Sequence, residues 1–364
     1  MTVSNPLLFQ PFQLGEITLQ HRVVMAPLTR VRANASHVQG DLNRIYYEQR
    51  AHTPGTLIVT EATVIAPEGG GYSNVPGIWT EEQIAGWKPI VDIVHAKGCY
   101  IYSQLWAIGR AAVPDVLKAD GVDYTSVSDL PLPGSDHPPR PLTKAELKRV
   151  AELFSVAAKN AVERAGFDGV EIHSANGYLL DSFLQTNSNN RTDEYGGSIE
   201  NRIRFPLEVI DAVAKAVGEK KVAVRISPWS TYQGMRMPDP IPTFSAYVTR
   251  IRDTWPQLAY LHVVEPRVSG NDDAEAAAGE DNDFIREIWG SRPLILAGGF
   301  KRQSGLETAE KTGALIVYGR LFVANPDLVH RLRNDLPLNK ANRDTFYTPG
   351  PEGYIDYPFA ENSK

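Results

Sequence analysis

Apolar runs rich in β-branched residues alternate with helical patterns along most of the chain. The runs lie at 23–28, 56–60, 98–105, 169–174, 222–227, 260–264, 293–297 and 315–319. They are nearly continuous in apolar character, which is typical of strands in a parallel sheet that helices cover on its outer face. Eight such runs with helices between them predict a closed (β/α)8 TIM barrel.

Other segments do not fit the strand and helix alternation. Residues 8–19 alternate in a hairpin-like pattern and predict a β-hairpin before the barrel. Residues 107–142 are rich in Pro, Asp, Ser and Gly, which predicts a long excursion at the barrel mouth after the third strand. Thr143 and Glu146 have the spacing of a capping box, and a helix is expected from there to Gly166. We expect a single domain over 1–364, with 335–364 as a C-terminal extension.

Composition and charge exclude several classes of partner. The chain is 42% hydrophobic and 22% charged, which is typical of a soluble globular protein. Its formal net charge of −6 leaves no basic excess to neutralise phosphates, so we expect no nucleic-acid or membrane partner. Cys99 is the only cysteine, which excludes an internal disulfide, and no metal-ligand spacing appears. No signal peptide or membrane-length apolar run is present, so we expect a cytoplasmic monomer or homodimer.

The fourth predicted strand ends in residues that can take part in acid and hydrogen-bond chemistry. His173, Asn176 and Tyr178 lie within six positions at its C-terminal tip, where barrel enzymes place their active sites. Side-chain alternation also predicts that Arg225 of the next strand faces inward. Taken alone, His173 fits a buried core histidine better than a catalytic group, and Arg225 fits a buried ion pair with Glu171 or Glu61 as well as it fits a ligand contact.

The last two predicted strands end in glycines, at Gly298 and Gly299 and at Gly319 before Arg320. Glycine allows a ligand to approach the backbone, and a helix start favours an anion, so these tips predict a phosphate site. Two tight turns are the alternative. No G-x-G-x-x-G follows a strand and no lysine lies at a strand tip, so a tightly held organic phosphate cofactor is favoured, for which a flavin would suit Thr29, Gln104 and Arg225.

A set of motifs in order resembles the old yellow enzyme family of FMN-dependent ene-reductases, in its threonine-bearing branch. The motifs are MAPLTR at 25–30, GYSNVPGIW at 71–79, QLW at 104–106, HSANGY at 173–178, NRTDEYGG at 190–197, VEPR at 264–267 and YGR at 318–320. The resemblance extends from LFQPF at 8–12 to GYIDY at 353–357.

The resemblance implies a bound FMN and NADPH or NADH as the hydride donor. It assigns Thr29 to the flavin C4 carbonyl, Gln104 to the pyrimidine edge and Arg225 to the region of N1 and O2. The backbone around Pro27, Leu28 and Ala62 is expected against the ring, and Gly298, Gly299, Gly319 and Arg320 at the phosphate. Two positions depart from the common family pattern, since Ala62 stands where glycine is frequent and Gly299 where asparagine is frequent. The loop at 269–273 also lacks an aromatic residue that some relatives place over the substrate.

The resemblance further implies a ping-pong reduction of an α,β-unsaturated carbonyl or nitro compound. His173 and Asn176 are expected to bind the substrate oxygen, and Tyr178 to protonate the α-carbon after hydride transfer from flavin N5. Tyr72, Trp106 and Tyr347 are expected on the substrate side, although each also fits a core aromatic. The alternatives are a nitroester or nitroaromatic reductase on the same scaffold, a flavin-free phosphate-binding isomerase or lyase, and a non-catalytic flavin-binding protein.

Overall fold

Eight parallel strands close into a barrel in the computed structural model, which describes residues 5–270 and 272–361. The strands are β1 (Val23–Met25), β2 (Leu57–Val59), β3 (Tyr100–Trp106), β4 (Gly169–Ser174), β5 (Val222–Ile226), β6 (Tyr260–Val264), β7 (Leu294–Ala297) and β8 (Leu315–Tyr318). Each strand pairs with the next, and β8 pairs with β1. The predicted (β/α)8 barrel is confirmed. Residues 1–4, Asn271 of the loop after β6 and residues 362–364 of the expected C-terminal extension lie outside the described residues.

Helices follow the strands and cover the outside of the barrel. They are α1 (Asp41–Arg50), α2 (Glu81–Ala96), α3 (Pro114–Ala119), α4 (Lys144–Lys159), α5 (Leu179–Leu184), α6 (Ile199–Val217), α7 (Ile241–Thr254), α8 (Asp283–Trp289), α9 (Arg302–Thr312), α10 (Arg320–Ala324) and α11 (Leu328–Asn334). The predicted capping box starts α4. The Thr143 hydroxyl accepts a hydrogen bond from the Glu146 backbone N–H, and the Glu146 carboxylate accepts one from the Thr143 backbone N–H. A π-helical turn, Asn160–Ala165, extends α4 to Gly166.

The strands bury two separate apolar layers. Val222, Val224 and Ile226 of β5 belong to the layer between the sheet and the helices, whereas Ala223 faces the barrel interior with Val24 and Val59. Alternation along β5 therefore turns Arg225 inward, as predicted. The N-terminal hairpin, formed by Phe12–Leu14 and Ile17–Leu19, closes the bottom of this interior with Leu14 and Leu19.

The excursion after β3 is ordered by short elements of its own. It contains a 3-10 turn, Gly109–Ala111, the helix α3 and a two-residue parallel pairing of Thr125–Ser126 with Arg140–Pro141. The pairing joins the middle of the excursion to its C-terminal end. No helix in the described part of the chain is long and apolar enough to cross a membrane.

Buried arginines hold the C-terminal segment against the barrel. Arg32 donates hydrogen bonds to the carbonyl oxygens of Thr345 at 3.0 Å and Phe346 at 3.1 Å, and its guanidinium lies 4.4 Å from the Tyr354 ring centroid. Arg30 donates to the Phe346 and Gly353 carbonyl oxygens at 3.1 and 2.7 Å. Because these bonds reach the backbone beside Tyr347, they place that residue at the barrel mouth.

Candidate functional site

A cavity of about 650 Å³ opens at the carboxyl ends of the strands and collects most of the predicted site residues. Its walls include every residue that the sequence assigned to the cofactor, namely Pro27, Leu28, Thr29, Ala62, Gln104, Arg225, Gly298, Gly299, Gly319 and Arg320. They also include His173, Asn176, Tyr178 and Tyr347. The tips of all eight strands thus contribute to one site, with Val264 as the contribution of β6, as the architecture of a barrel requires.

Two predicted substrate residues do not line this cavity. Trp106 is only 1% exposed and packs edge-on against Tyr178, with ring centroids 4.8 Å apart. The Tyr72 ring centroid lies 5.6 Å from that of Trp106, and Tyr72 is only partly buried. The place of both residues on the substrate side stays a prediction.

The turn after β4 fixes the direction of its polar side chains. Asn176 has a left-handed backbone with φ of 58°, and its N–H donates to the Ser227 hydroxyl at 2.7 Å. The Gly177 N–H donates to a buried Asp181 carboxylate oxygen at 2.8 Å. A non-glycine residue in the left-handed region is uncommon and is held there by such surroundings. These bonds from β5 and α5 turn Asn176 and Tyr178 toward the cavity that His173 also lines.

His173 is a neutral imidazole in this site. It is buried, and its burial and then the positive charge of Arg225 lower its pKa well below the ordinary value. Its Nδ1 atom is buried without a hydrogen-bond partner, and its ring centroid lies 5.0 Å from that of Tyr178. Burial raises the pKa of Tyr178 well above its ordinary value. The pair therefore offers an uncharged hydrogen-bonding ring and a protonated phenol to the same space.

Arg225 does not form the ion pair that was its alternative interpretation. Its Nε atom is buried and has no hydrogen-bond partner. Glu171 accepts hydrogen bonds from Gln104 and His262 instead, at 2.7 and 2.8 Å. Glu61 accepts from the Gln39 side chain and the Arg30 N–H, at 2.9 and 3.2 Å. Arg225 nevertheless lines the cavity, which fits a ligand that presents an acceptor to its guanidinium.

The glycine tips of β7 and β8 form a positively charged end of the cavity. Gly299 has φ of 62°, and a side chain on Gly298 would place its Cβ atom 2.5 Å from Cβ of Glu265. The backbone therefore approaches the cavity without side chains in between. Lys301, Lys340, Arg343 and Arg320 line the same end. Four cations beside exposed backbone N–H groups suit a phosphate.

Asp273 is an acidic residue that lines this end, and the neighbouring Asp272 forms an ion pair with Arg343. The Asp273 carboxylate forms an ion pair with Arg320, and the ion pair lowers the pKa of Asp273 below the ordinary value. A phosphate that binds Arg320 would thus share the guanidinium with Asp273. The Arg320 and Asp273 side chains are 31% and 70% exposed, so replacing Asp273 by a phosphate at Arg320 costs little free energy.

Several residues of the cavity wall were not predicted from the sequence, although the position of one of them, Tyr232, made it predictable. Tyr232, which is 38% exposed, lines the cavity from the loop after β5 and contacts the backbone at Gly270. An aromatic side chain at the mouth thus comes from this loop, whereas the loop after β6 lacks one. Tyr232 lies in the loop after the fifth predicted strand, so the rule that barrel enzymes place active-site residues in the loops after the strands could have found it. In residues 5–270 and 272–361, no group of three or more metal-binding side chains is present.

Comparisons with known proteins identify the family of this chain. A model of the NADH:flavin oxidoreductase / NADH oxidase family matches residues 7–339. The chain is 48% identical to the NADP-dependent oxidoreductase lnbE of Aspergillus flavus, over 98% of this chain and 97% of the relative. It is 46% identical to the chanoclavine-I aldehyde reductase fgaOx3 of Penicillium roqueforti, over 97% and 96% of the two chains. The crystal structure of Old Yellow Enzyme from a Pichia species superposes with a TM-score of 0.90 at 39% identity, over 98% of this chain and 94% of that one.

Proposed function

The chain belongs to the NADH:flavin oxidoreductase / NADH oxidase family and is an FMN-dependent oxidoreductase of the old yellow enzyme type, and we propose that it reduces the activated C=C bond of α,β-unsaturated carbonyl compounds with NADPH or NADH. One observation supports the finer proposal above all. His173, Asn176 and Tyr178 line the same cavity as the proposed flavin contacts Gln104 and Arg225. Oxygen-binding groups, a proton donor and the cofactor thus share one space.

The residues at the barrel mouth suit FMN at both of its ends. The Arg225 guanidinium and the buried Gln104 amide, which both line the cavity, would hold the pyrimidine edge of the ring. Thr29 would donate to the C4 carbonyl, and the backbone around Pro27, Leu28 and Ala62 would lie against the ring. Gly298, Gly299, Gly319 and Arg320 would hold the phosphate. When bound there, FMN supplies the hydride chemistry that the side chains of this chain lack.

The side chains at the tip of β4 would activate and protonate the substrate. His173 and Asn176 donate hydrogen bonds to the carbonyl oxygen, where negative charge develops as the alkene is reduced. Because His173 is neutral, it does so without losing a proton to the product. Tyr178 then gives its phenolic proton to the α-carbon. The name of the relative fgaOx3 refers to an aldehyde, which supports a carbonyl-bearing substrate for this chain as well.

Anaerobic reduction and reoxidation of the purified protein test this function. We expect a yellow protein whose colour NADPH bleaches and 2-cyclohexenone restores, with cyclohexanone as the product. Reoxidation by nitrate esters but not by the enone would favour the nitroester reductase. A protein that neither carries nor binds FMN would favour the flavin-free isomerase or lyase, and one that binds FMN but is not bleached would favour a flavin-binding protein without activity.

Replacement of Arg320 should weaken FMN binding with little effect on the fold. Loss of a charge-assisted hydrogen bond of about 1.5–3 kcal/mol predicts that Arg320→Ala raises the FMN dissociation constant by about 10- to 100-fold. Asp273→Asn should act in the opposite direction, because Asp273 competes with the phosphate for Arg320. The matched control is Lys311→Ala, which removes a cation from the far end of α9. Fluorescence titration of apoprotein with FMN measures all three, and unchanged affinity in Arg320→Ala would remove Arg320 from the phosphate site.

A further inference from the structure

A buried polar cluster lies in the barrel interior below the proposed flavin site. The Glu171 carboxylate on β4 accepts a hydrogen bond from Gln104 Nε2 on β3 at 2.7 Å and one from His262 Nδ1 on β6 at 2.8 Å. The side chains of Glu171 and His262 are both 0% exposed. Arg225 lies between them in the sheet, because it pairs in register with His173 on one side and His262 on the other. The cluster therefore spans four adjacent strands directly under the cavity.

The charge state of this cluster follows from its contacts. Burial on its own would raise the pKa of Glu171, but the hydrogen bonds from His262 and Gln104 and the positive charge of Arg225 hold it below the ordinary value. Burial lowers the pKa of His262 more than Glu171 raises it. Glu171 is thus a carboxylate, and His262 is a neutral ring that donates its Nδ1–H to it. The cluster carries one negative charge on Glu171 and one positive charge on Arg225.

Burial of the Glu171 carboxylate costs free energy, because burial of an ionised group is strongly unfavourable unless it is paired. The barrel interior around it is otherwise largely apolar, with Val24, Val59 and Ala223 as examples. Its donors do not neutralise it, since Gln104 and His262 are uncharged. The electrostatic attraction of Arg225, which acts without a direct hydrogen bond, compensates part of this charge.

We propose that Glu171 is a positioning residue for the flavin, which orients the Gln104 amide and offsets part of the positive charge of Arg225 beneath the pyrimidine ring. The inference rests on the proposed placement of FMN over Gln104 and Arg225. It adds a residue that does not line the cavity and touches neither cofactor nor substrate.

The orientation follows from hydrogen-bond chemistry. An ionised carboxylate only accepts, so Gln104 must turn its NH₂ group toward Glu171. Its carbonyl oxygen and its second N–H then remain for the cavity. That arrangement matches the pyrimidine edge of a flavin, where an N–H donor lies beside carbonyl acceptors. Without the Glu171 charge, the amide would lose its preference between the two orientations.

The electrostatic effect has a defined sign. The reduced flavin gains negative charge near N1, which the positive charge of Arg225 favours and the negative charge of Glu171 opposes. Removal of the Glu171 charge should therefore make two-electron reduction easier. A residue that only supported the fold would not shift the potential in a fixed direction.

The variant Glu171→Gln tests this inference in the FMN-loaded protein. We expect its equilibrium constant for two-electron reduction to rise at least tenfold, which is a shift of about 30 mV to more positive potential. The matched control is His262→Gln, which replaces one neutral donor to Glu171 by another and should leave the potential unchanged. Anaerobic titration against a redox dye measures both. An unchanged or more negative potential in Glu171→Gln, or an equal shift in the control, would overturn the inference.

A second pair of variants tests the inference even if Glu171→Gln does not fold. Arg225→Met and the double variant Glu171→Gln/Arg225→Met differ only in the Glu171 charge, and the double variant leaves no uncompensated buried charge. The double variant should have the more positive potential, and equal potentials would overturn the inference. Orientation is tested by FMN affinity, which Glu171→Gln should lower in the native background but not in a Gln104→Ala background. A native protein that binds no FMN would overturn the proposed function first and this inference with it, before any variant is made.

Discussion

Replacement of both His173 and Asn176 by alanine should reduce enone turnover at least about a thousandfold while FMN remains bound. Loss of one preorganised donor to a developing oxyanion costs about 10²–10³ in rate, and this variant removes two donors from the same oxygen. Neither residue is among the proposed contacts of the FMN phosphate. The rate of flavin reoxidation by 2-cyclohexenone in anaerobic stopped-flow measures the effect, and the flavin absorbance of the purified protein measures cofactor content.

The chain offers a matched control for this double variant. His330 and Asn334 form a hydrogen-bonded histidine and asparagine pair on α11, and their replacement by alanine deletes the same two side-chain types at a site distant from the cavity. The control should react with the enone at the native rate. Phenols are ligands that present an oxygen to the same two donors, so their binding should also be lost in the double variant alone. Native turnover in the His173 and Asn176 variant would remove both residues from the oxygen site.

The sequence could predict that these residues meet at one mouth, because a barrel brings strand tips together whatever the lengths of the loops between them. His173, Arg225 and Gly298 are far apart in the chain, but each follows or ends an apolar run, and the closed sheet places all three at one mouth. The alternation of side chains was sufficient to turn Arg225 inward. The meeting of strand tips at one mouth follows from the fold class, and the alternation of side chains follows from the local pattern. The fold class and the local pattern can both be predicted from the sequence.

Pairings between side chains could not be predicted in the same way. The alternative of an ion pair for Arg225 was reasonable from position, yet the 91-residue separation between Glu171 and His262 hides the contact that the structure shows. The ion pair of Arg320 with Asp273 likewise joins residues 47 positions apart through an irregular loop. Such contacts depend on strand register and loop path, which composition and periodicity do not specify.

The sequence also did not specify whether a side chain near a strand tip lines the cavity or packs behind its wall. Trp106 is the last residue of β3, and Gln104 lies two positions before it. Trp106 packs against Tyr178, whereas Gln104 lines the cavity. The N-terminal arginines are a related case, since Arg32 binds the Phe346 carbonyl 314 residues later. Only the closed fold shows that the C-terminal segment returns to the mouth and brings Tyr347 with it.

Replacement of Tyr178 by phenylalanine should slow enone reduction by about 10²- to 10⁴-fold, which is the usual contribution of a positioned general acid. The aromatic packing against Trp106 and His173 is retained, so the loss isolates the phenolic proton. Flavin reduction by NADPH needs no proton from Tyr178 and should keep its native rate. The matched control is Tyr124→Phe, which removes a hydroxyl that donates to the Arg110 carbonyl oxygen in the excursion.

The pH dependence of the same step follows from the raised pKa of Tyr178. Burial is the main cause of that increase, and the neighbouring Tyr72 and Tyr232 add to it. A general acid acts in its protonated form, so activity is retained below its pKa and lost as the pH rises through it. An ordinary tyrosine has a pKa of about 10, so the enone rate of the native protein should be constant from about pH 6 to about pH 9 with respect to this group. A native enone rate in Tyr178→Phe at all of these pH values would show that water, and not Tyr178, delivers the proton.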